Sequence, residues 1–166
     1  MAFRFEFDRA NKILLMRVEG RLTDESLAEV YRTGLEHWAA TDAHASIWDF
    51  SFVTEFAVSA EFIHELANQD PAVTDLAKRP RFIVAPTTVG FGPSRMFQIV
   101  GEPKRPLLKV VRTLDEALAE LGVQSPHFDP YRVTVRSVDV RHLHELRIAG
   151  EVAIWTFVNP STAYLL

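Results

Sequence analysis

An α/β fold with a mixed, mostly parallel sheet of about five strands and helices packed against it is predicted by three features of the sequence. Short apolar runs of the buried-strand kind recur at 45–50, 81–85 and 107–111. Amphipathic stretches of roughly ten residues lie between and after them, several introduced by residues suited to cap a helix, such as Thr23, Ser59 and Thr113. The chain opens with Phe3, Phe5 and Phe7 alternating with Arg4, Glu6 and Asp8, the pattern of a strand with one buried face.

The elements follow in order. Arg9-Ala10-Asn11-Lys12 reads as a hairpin turn, and Ile13 to Glu19 as the returning strand, ended by Gly20. Thr23 caps a helix whose first turn holds Asp24 and Glu25 near the positive end of the dipole. Leu27, Val30, Tyr31, Leu35 and Trp38 give that helix an apolar stripe to about Ala40. The strand 45–50 runs into a loop, and a second helix starts near Ser59 with Phe62, Ile63 and Leu66 inward. Pro71 can open a short helical turn toward Ala77. The strand 81–85 is stopped by Pro86, and the segment 87–94 reads as a loop before a helix carrying Met96, Phe97, Ile99 and Val100. After the strand 107–111, Thr113-Leu114-Asp115-Glu116 has the form of a full capping box, and Gly122 ends its helix. Ser125-Pro126 and Asp129-Pro130 read as a hinge. Residues 1–124 are therefore taken as one domain and 125–166 as a C-terminal extension, with strand patterns at Tyr131, Val133 and Val135 and at Glu151 to Val158. The extension either adds edge strands or contacts a second subunit.

Composition narrows the function. Hydrophobic residues make up 48% of the 166, enough for a core without disulfides or a structural metal. With no cysteine, disulfides, thiolate zinc sites, iron–sulfur clusters and a Cys nucleophile are excluded. The formal net charge of −4 is scattered and there is no Lys/Arg block, so nucleic acid is not an expected partner. No apolar run is long enough to span a membrane, and the alternating start lacks a signal-peptide core, so a cytoplasmic protein is the expectation. No cofactor is expected. His142 and His144, with His127 or Asp139, are the one conceivable metal set, without a second cluster at ligand spacing, so no metal site is expected. His37, His44 and His64 are assigned to surface or loop.

Candidate function gathers at the ends of the strands. In open α/β sheets, sites form where strand ends face helix N-termini. Asp49 stands there, either as a binding or catalytic carboxylate or as an acceptor for its own loop, the structural role being preferred. Ser59 is either a phosphoacceptor at a helix N-terminus or an ordinary N-cap, again the preferred reading. Gly90, Gly92, Ser94 and Arg95 would form either an anion cradle or a plain connection. Phe52, Phe56 and Phe91 fall in expected loops at this end, where they would line an apolar pocket or a partner surface. There is no G-x-S-x-G elbow, no H-E-x-x-H and no evident Ser-His-Asp set, so an enzyme using Asp49, Ser59 and Arg95 is the last alternative.

The order of elements resembles the STAS domain of bacterial anti-sigma-factor antagonists and the related SpoIIAA-like, or STAS/Sec14-like, small bacterial proteins. The antagonists carry Asp-Leu-Ser-x-Val, an apolar residue, then Asp-Ser-Ser-Gly at a helix start. Asp49-Phe50-Ser51-Phe52-Val53 matches the first part and Phe56 the apolar position. Ser59 stands at the place of the phosphorylated serine, with Ala57 in place of the family Asp and Ala60 in place of the Gly. The stretches from Gly92 and from Val111 look like the SpoIIAA-like group. The resemblance covers about residues 3–123 and implies a non-catalytic regulatory module that recognises a protein partner, or a homodimer, through these loops. A carrier or sensor of a small apolar or anionic ligand in the same cleft is the alternative.

Overall fold

The computed structural model describes residues 1–70 and 78–132. Strands β1 (Ala2–Asp8) and β2 (Ile13–Thr23) form a hairpin, followed by α1 (Asp24–Ala39), β3 (Ala45–Ala57), α2 (Ala60–Asn68), β4 (Arg81–Val84), α3 (Thr88–Gly101), β5 (Leu108–Val111), α4 (Leu114–Glu120) and β6 (Asp129–Tyr131). The sheet order is β5-β4-β3-β2-β1-β6. β2 to β5 run parallel, and β1 pairs antiparallel with both β2 and β6. This is the expected mixed, mostly parallel α/β architecture of about five strands, six among the described residues.

The two faces of the sheet are covered unequally. Leu14, Met16, Val18, Leu22 and Phe50 point to one face and form a core with Leu27, Val30 and Trp38 of α1 and Leu66 of α2. Ile13, Leu15, Ile47, Phe82 and Val84 point to the other and pack on Ala117 and Leu118 of α4. The opening alternation behaves as expected, with Phe5 and Phe7 buried on the first face.

β2 and β3 are both longer than the sequence suggests. The expected end at Gly20 is instead a place where the pairing slips. Arg17 pairs with Asp49 but Glu19 with Phe52, and Gly20 pairs with Val53 but Arg21 with Glu55. Each slip inserts one extra residue in β3, and Gly20 takes φ 85° at the second. A bulge of this kind flips the inside–outside alternation, so the period-2 signal of a strand is lost after Phe50. The segment expected as a loop is therefore strand.

Helix starts follow the caps. Thr23 accepts the N–H of Ser26 at 3.4 Å, and the Ser26 hydroxyl accepts the N–H of Thr23 at 2.8 Å, a reciprocal box. At α4 the expected full box is only half formed. Thr113 Oγ accepts the N–H of Glu116, but the Glu116 carboxylate takes the N–H of Arg112, one residue before the cap. Gly122 (φ 72°) ends α4 in a Schellman turn, with the N–H of Val123 donating to the carbonyl of Leu118 at 2.9 Å.

α3 departs most from expectation. It begins at Thr88 rather than after Ser94, capped by Thr87, whose Oγ1 accepts the Gly90 N–H at 3.3 Å. Gly90, Gly92 and Pro93 read as loop residues, yet all lie inside the helix. Pro93 removes only one backbone donor near the helix start, and the packing of the following turns outweighs the local propensities.

Residues 129–131 add a short strand beside β1. Asp8, fully buried at the end of β1, accepts the backbone N–H of Asn11 at 2.9 Å and of His127 at 3.0 Å. Burial pushes the Asp8 carboxyl up, but the Asn11 side-chain amide, donating to Oδ2 at 2.7 Å, and these backbone donors outweigh it and leave it below the usual carboxylate range. Tyr131 donates to the carbonyl of Ala40 at 3.0 Å, and Phe128 packs on the α4 core. A chain ending at Val123 is accordingly expected to be less stable by about 2–4 kcal/mol than one ending at Arg132. Urea unfolding of the two products checks this, and equal midpoints would confine the domain to residues 1–124. The suggested helical turn at 71–77, the strand patterns from Val133 onward, and His142, His144 and Asp139 lie outside the described residues.

Candidate functional site

The carboxyl ends of the parallel strands lead to the N-termini of α2 and α3, where Ser59 and the Gly90–Arg95 stretch stand. Ser59 is the N-cap of α2, accepting the N–H of Phe62 at 3.1 Å. A second partner was not foreseen. Asp24, in the first turn of α1, accepts both the backbone N–H and the hydroxyl of Ser59, each at 2.7 Å. The clasp ties the starts of two helices together. It leaves Ser59 partly exposed and turns a carboxylate toward its hydroxyl oxygen.

The three expected loop phenylalanines take three different positions, none of them in a loop. Phe52 lies on β3 between the two slips in pairing and is 49% exposed. Phe56 is also on β3, but beyond both slips. It packs edge-on against Phe50, ring centroids 6.1 Å apart, and lies against Gly90. Phe91 is in α3 under the Arg112 guanidinium, 3.5 Å from its ring centre. Phe56 and Phe91 are thus absorbed by internal packing, while Phe52 is left outward.

The Gly90–Arg95 stretch is helical, so the glycines do not form a phosphate-wrapping loop. Gly92 is exposed with open space where a Cβ would stand, and therefore supports no close backbone approach. Arg95 is exposed and donates to Gln98 at 2.5 Å. Ser94 points the other way, 3% exposed, into the core.

Asp49 is 1% exposed and lies within β3 rather than at its end. Its Oδ2 accepts Arg17 Nη1 at 2.7 Å, and its Oδ1 accepts the Ser51 N–H at 2.9 Å. Arg17 reaches Glu6 as well, Nε to Oε1 3.2 Å. The register places Asp49 and Arg17 on the face that carries α4, away from α1. Among the described residues, no hydrogen bond or ion pair joins Asp49, Ser59 and Arg95 to one another, and each has its own partners.

Sequence reasoning missed Asp24 as the partner of Ser59, having assigned it only to the helix dipole. It also missed Arg105, 1% exposed, which sits in a Pro-Lys-Arg-Pro run between the expected helix end at Gly101 and the strand from Leu107. Arg105 donates to the carbonyls of Leu66, Ala67 and Gln69 at the end of α2 and lies over Phe97. His37, expected at the surface, is half-buried and stacked on Phe5, with centroids 3.7 Å apart; burial lowers its pKa. His44 and His64 are exposed as expected, and His127 is exposed with Nε2 3.3 Å from Asp129. Among the described residues, no three His, Asp or Glu side chains are grouped to hold a metal ion, and no helix is long and apolar enough to cross a membrane.

No protein-family model matches the chain. No curated protein matches it either. Among solved structures it is similar to the anti-sigma factor antagonist SpoIIAA in its unphosphorylated form, with 13% identity and a TM-score of 0.49 over 75% of this chain and 100% of that one.

Proposed function

We propose that this chain is a non-catalytic regulatory module that recognises a protein partner through the projecting end of β3 and the start of α2. The observation that carries this reading is Phe52, 49% exposed on a strand that outruns its neighbour. β4 pairs with β3 only from Ser46 to Asp49, whereas β2 accompanies β3 to Ala57. Beyond Asp49 the β3 edge away from β2 has no strand partner among the described residues. An unpaired edge beside an outward aromatic can accept an extended segment of another chain, with Phe52 as anchor. Ser51, Thr54 and Glu55 are exposed along the same stretch, and Gly92 and Arg95 are exposed on α3.

Ser59 supplies the regulatory element of the reading. A phosphate there would meet the N-terminus of α2 favourably but would also face the Asp24 carboxylate at the distance of a hydrogen bond. Modification would therefore break the clasp between α1 and α2 beside the docking surface.

The test is capture from a lysate of the native host with immobilised wild-type and Phe52→Asp protein, each checked for folding. Proteins retained by the wild type should fall about tenfold or more with the variant. The variant's own stability should change by less than about 0.5 kcal/mol. An unchanged set of retained proteins would sink the reading. Intact-mass analysis of protein from the same host tests Ser59: an added phosphate mass would make it a phosphoacceptor, and a clean mass would leave it an N-cap.

A further inference from the structure

The interior between the sheet and helices α1, α2 and α3 holds a cavity of about 40 Å³. Its walls are mostly apolar, with Leu27, Phe50, Phe97 and Leu108 among them, but Tyr31, Arg81 and Ser94 also line it. A second cavity of about 20 Å³ shares Tyr31, Trp48 and Arg81 with the first. Arg81 thus stands between two internal spaces.

The polar groups here are deeply buried and incompletely matched. Arg81 is 8% exposed and Ser94 3%. Among the described residues, Arg81 Nη2, Ser94 Oγ and Arg105 Nε have no hydrogen-bond partner. Arg105 offsets part of its charge on the α2 carbonyls and donates to the Tyr31 hydroxyl at 3.3 Å. Among the described residues, the Arg81 guanidinium has only that same hydroxyl, which it shares with Arg105. Among the described residues, neither guanidinium forms an ion pair with a carboxylate. Burial and the neighbouring Arg105 charge lower the Arg81 pKa, and Tyr31 opposes them. A guanidinium nevertheless stays charged at neutral pH. An uncompensated buried cation costs several kcal/mol, so Arg81, left with one shared hydroxyl while Arg105 has the α2 carbonyls, calls for an anion.

We propose that this cavity binds a small monocarboxylate, held by the Arg81 guanidinium and the Ser94 hydroxyl with its short alkyl chain against the apolar wall. The chemistry selects the class. A guanidinium fork matches the two oxygens of a carboxylate, and one hydroxyl donor can complete them. A phosphate or sulfate would bring further oxygens against Leu27, Phe50 and Phe97, where no donor waits. The space corresponds to about three waters, which fits a chain of about two to four carbons. The site shares no residue with the Phe52–Ser59 surface, so the two proposals stand or fall separately.

The experiment is a thermal-unfolding titration of the full chain with sodium acetate, propionate and butyrate. Sodium chloride holds the ionic strength constant, and Trp48, which lines both cavities, supports a parallel fluorescence readout. The expected result is a saturable rise in Tm with at least one carboxylate, absent in Arg81→Met, which keeps the apolar stem and removes the charge. Arg81→Met should also match or exceed the anion-free wild type in Tm, since it deletes an unpaired charge. If that variant does not fold, Ser94→Ala serves instead and should weaken the apparent affinity several-fold. A response equal to that of chloride or phosphate at matched ionic strength would overturn the proposal. So would an undiminished response in whichever variant folds.

Discussion

Asp49→Ala should destabilise the protein by about 3 kcal/mol, read as a lower urea midpoint at unchanged m-value. The carboxylate is 1% exposed and answers both Arg17 and the Ser51 N–H. Its removal leaves a largely buried guanidinium with Glu6 as its remaining acidic partner and a backbone donor with none. Asp49→Asn keeps an oxygen for Ser51 and should cost about half as much. A loss below about 0.5 kcal/mol in the alanine variant would mean that Asp49 is not part of the framework, and its role as a site residue would return.

Arg105→Ala should cost more, about 3–5 kcal/mol. Four acceptors lose their donor together: the carbonyls of Leu66, Ala67 and Gln69 and the Tyr31 hydroxyl. The end of α2 also loses one of the two cations that oppose its dipole, Lys104 on the Asn68 carbonyl being the other. Hydrogen exchange supplies the specific readout, with protection falling first in the last turn of α2, ahead of the sheet. Arg105→Lys should recover only part of the loss, because an ammonium cannot reproduce a planar fork serving several carbonyls at once. Uniform loss of protection across the whole chain would argue against a local capping role.

Much of the fold is legible because its signals are local. Thr23 and Ser59 announce their helices by chemistry within three or four residues, and the hairpin is written in the alternation of Phe3, Phe5 and Phe7. What escapes is decided at a distance. The length of β3 depends on where β2 slips, and the slips change which face Phe52 and Phe56 occupy without altering composition. The start of α3 is masked by Gly90, Gly92 and Pro93, whose loop propensities are overridden by packing. For the site, the cap role of Ser59 is readable but its clasp by Asp24 is not, since the two stand 35 residues apart. Arg105 is hidden for the same reason, its acceptors lying 36 or more residues away.

The position of β6 bears on how the chain is made. Phe5 and Phe7 in β1 find their outer partners only in Tyr131 and Asp129, more than a hundred residues later. At a ribosomal rate of about 5–20 residues per second, that edge waits on the order of 6–25 s after β1 emerges. Through that interval β1 can pair with β2 on one side while its other side offers an open ladder to any neighbouring nascent chain. The Asp8 carboxylate, already engaged with Asn11 in the hairpin turn, is ready to receive the His127 N–H when it arrives. Crowded polysomes are thus where this molecule is most exposed to mispairing, and the arrival of β6 beside Phe5–Phe7 reduces that exposure.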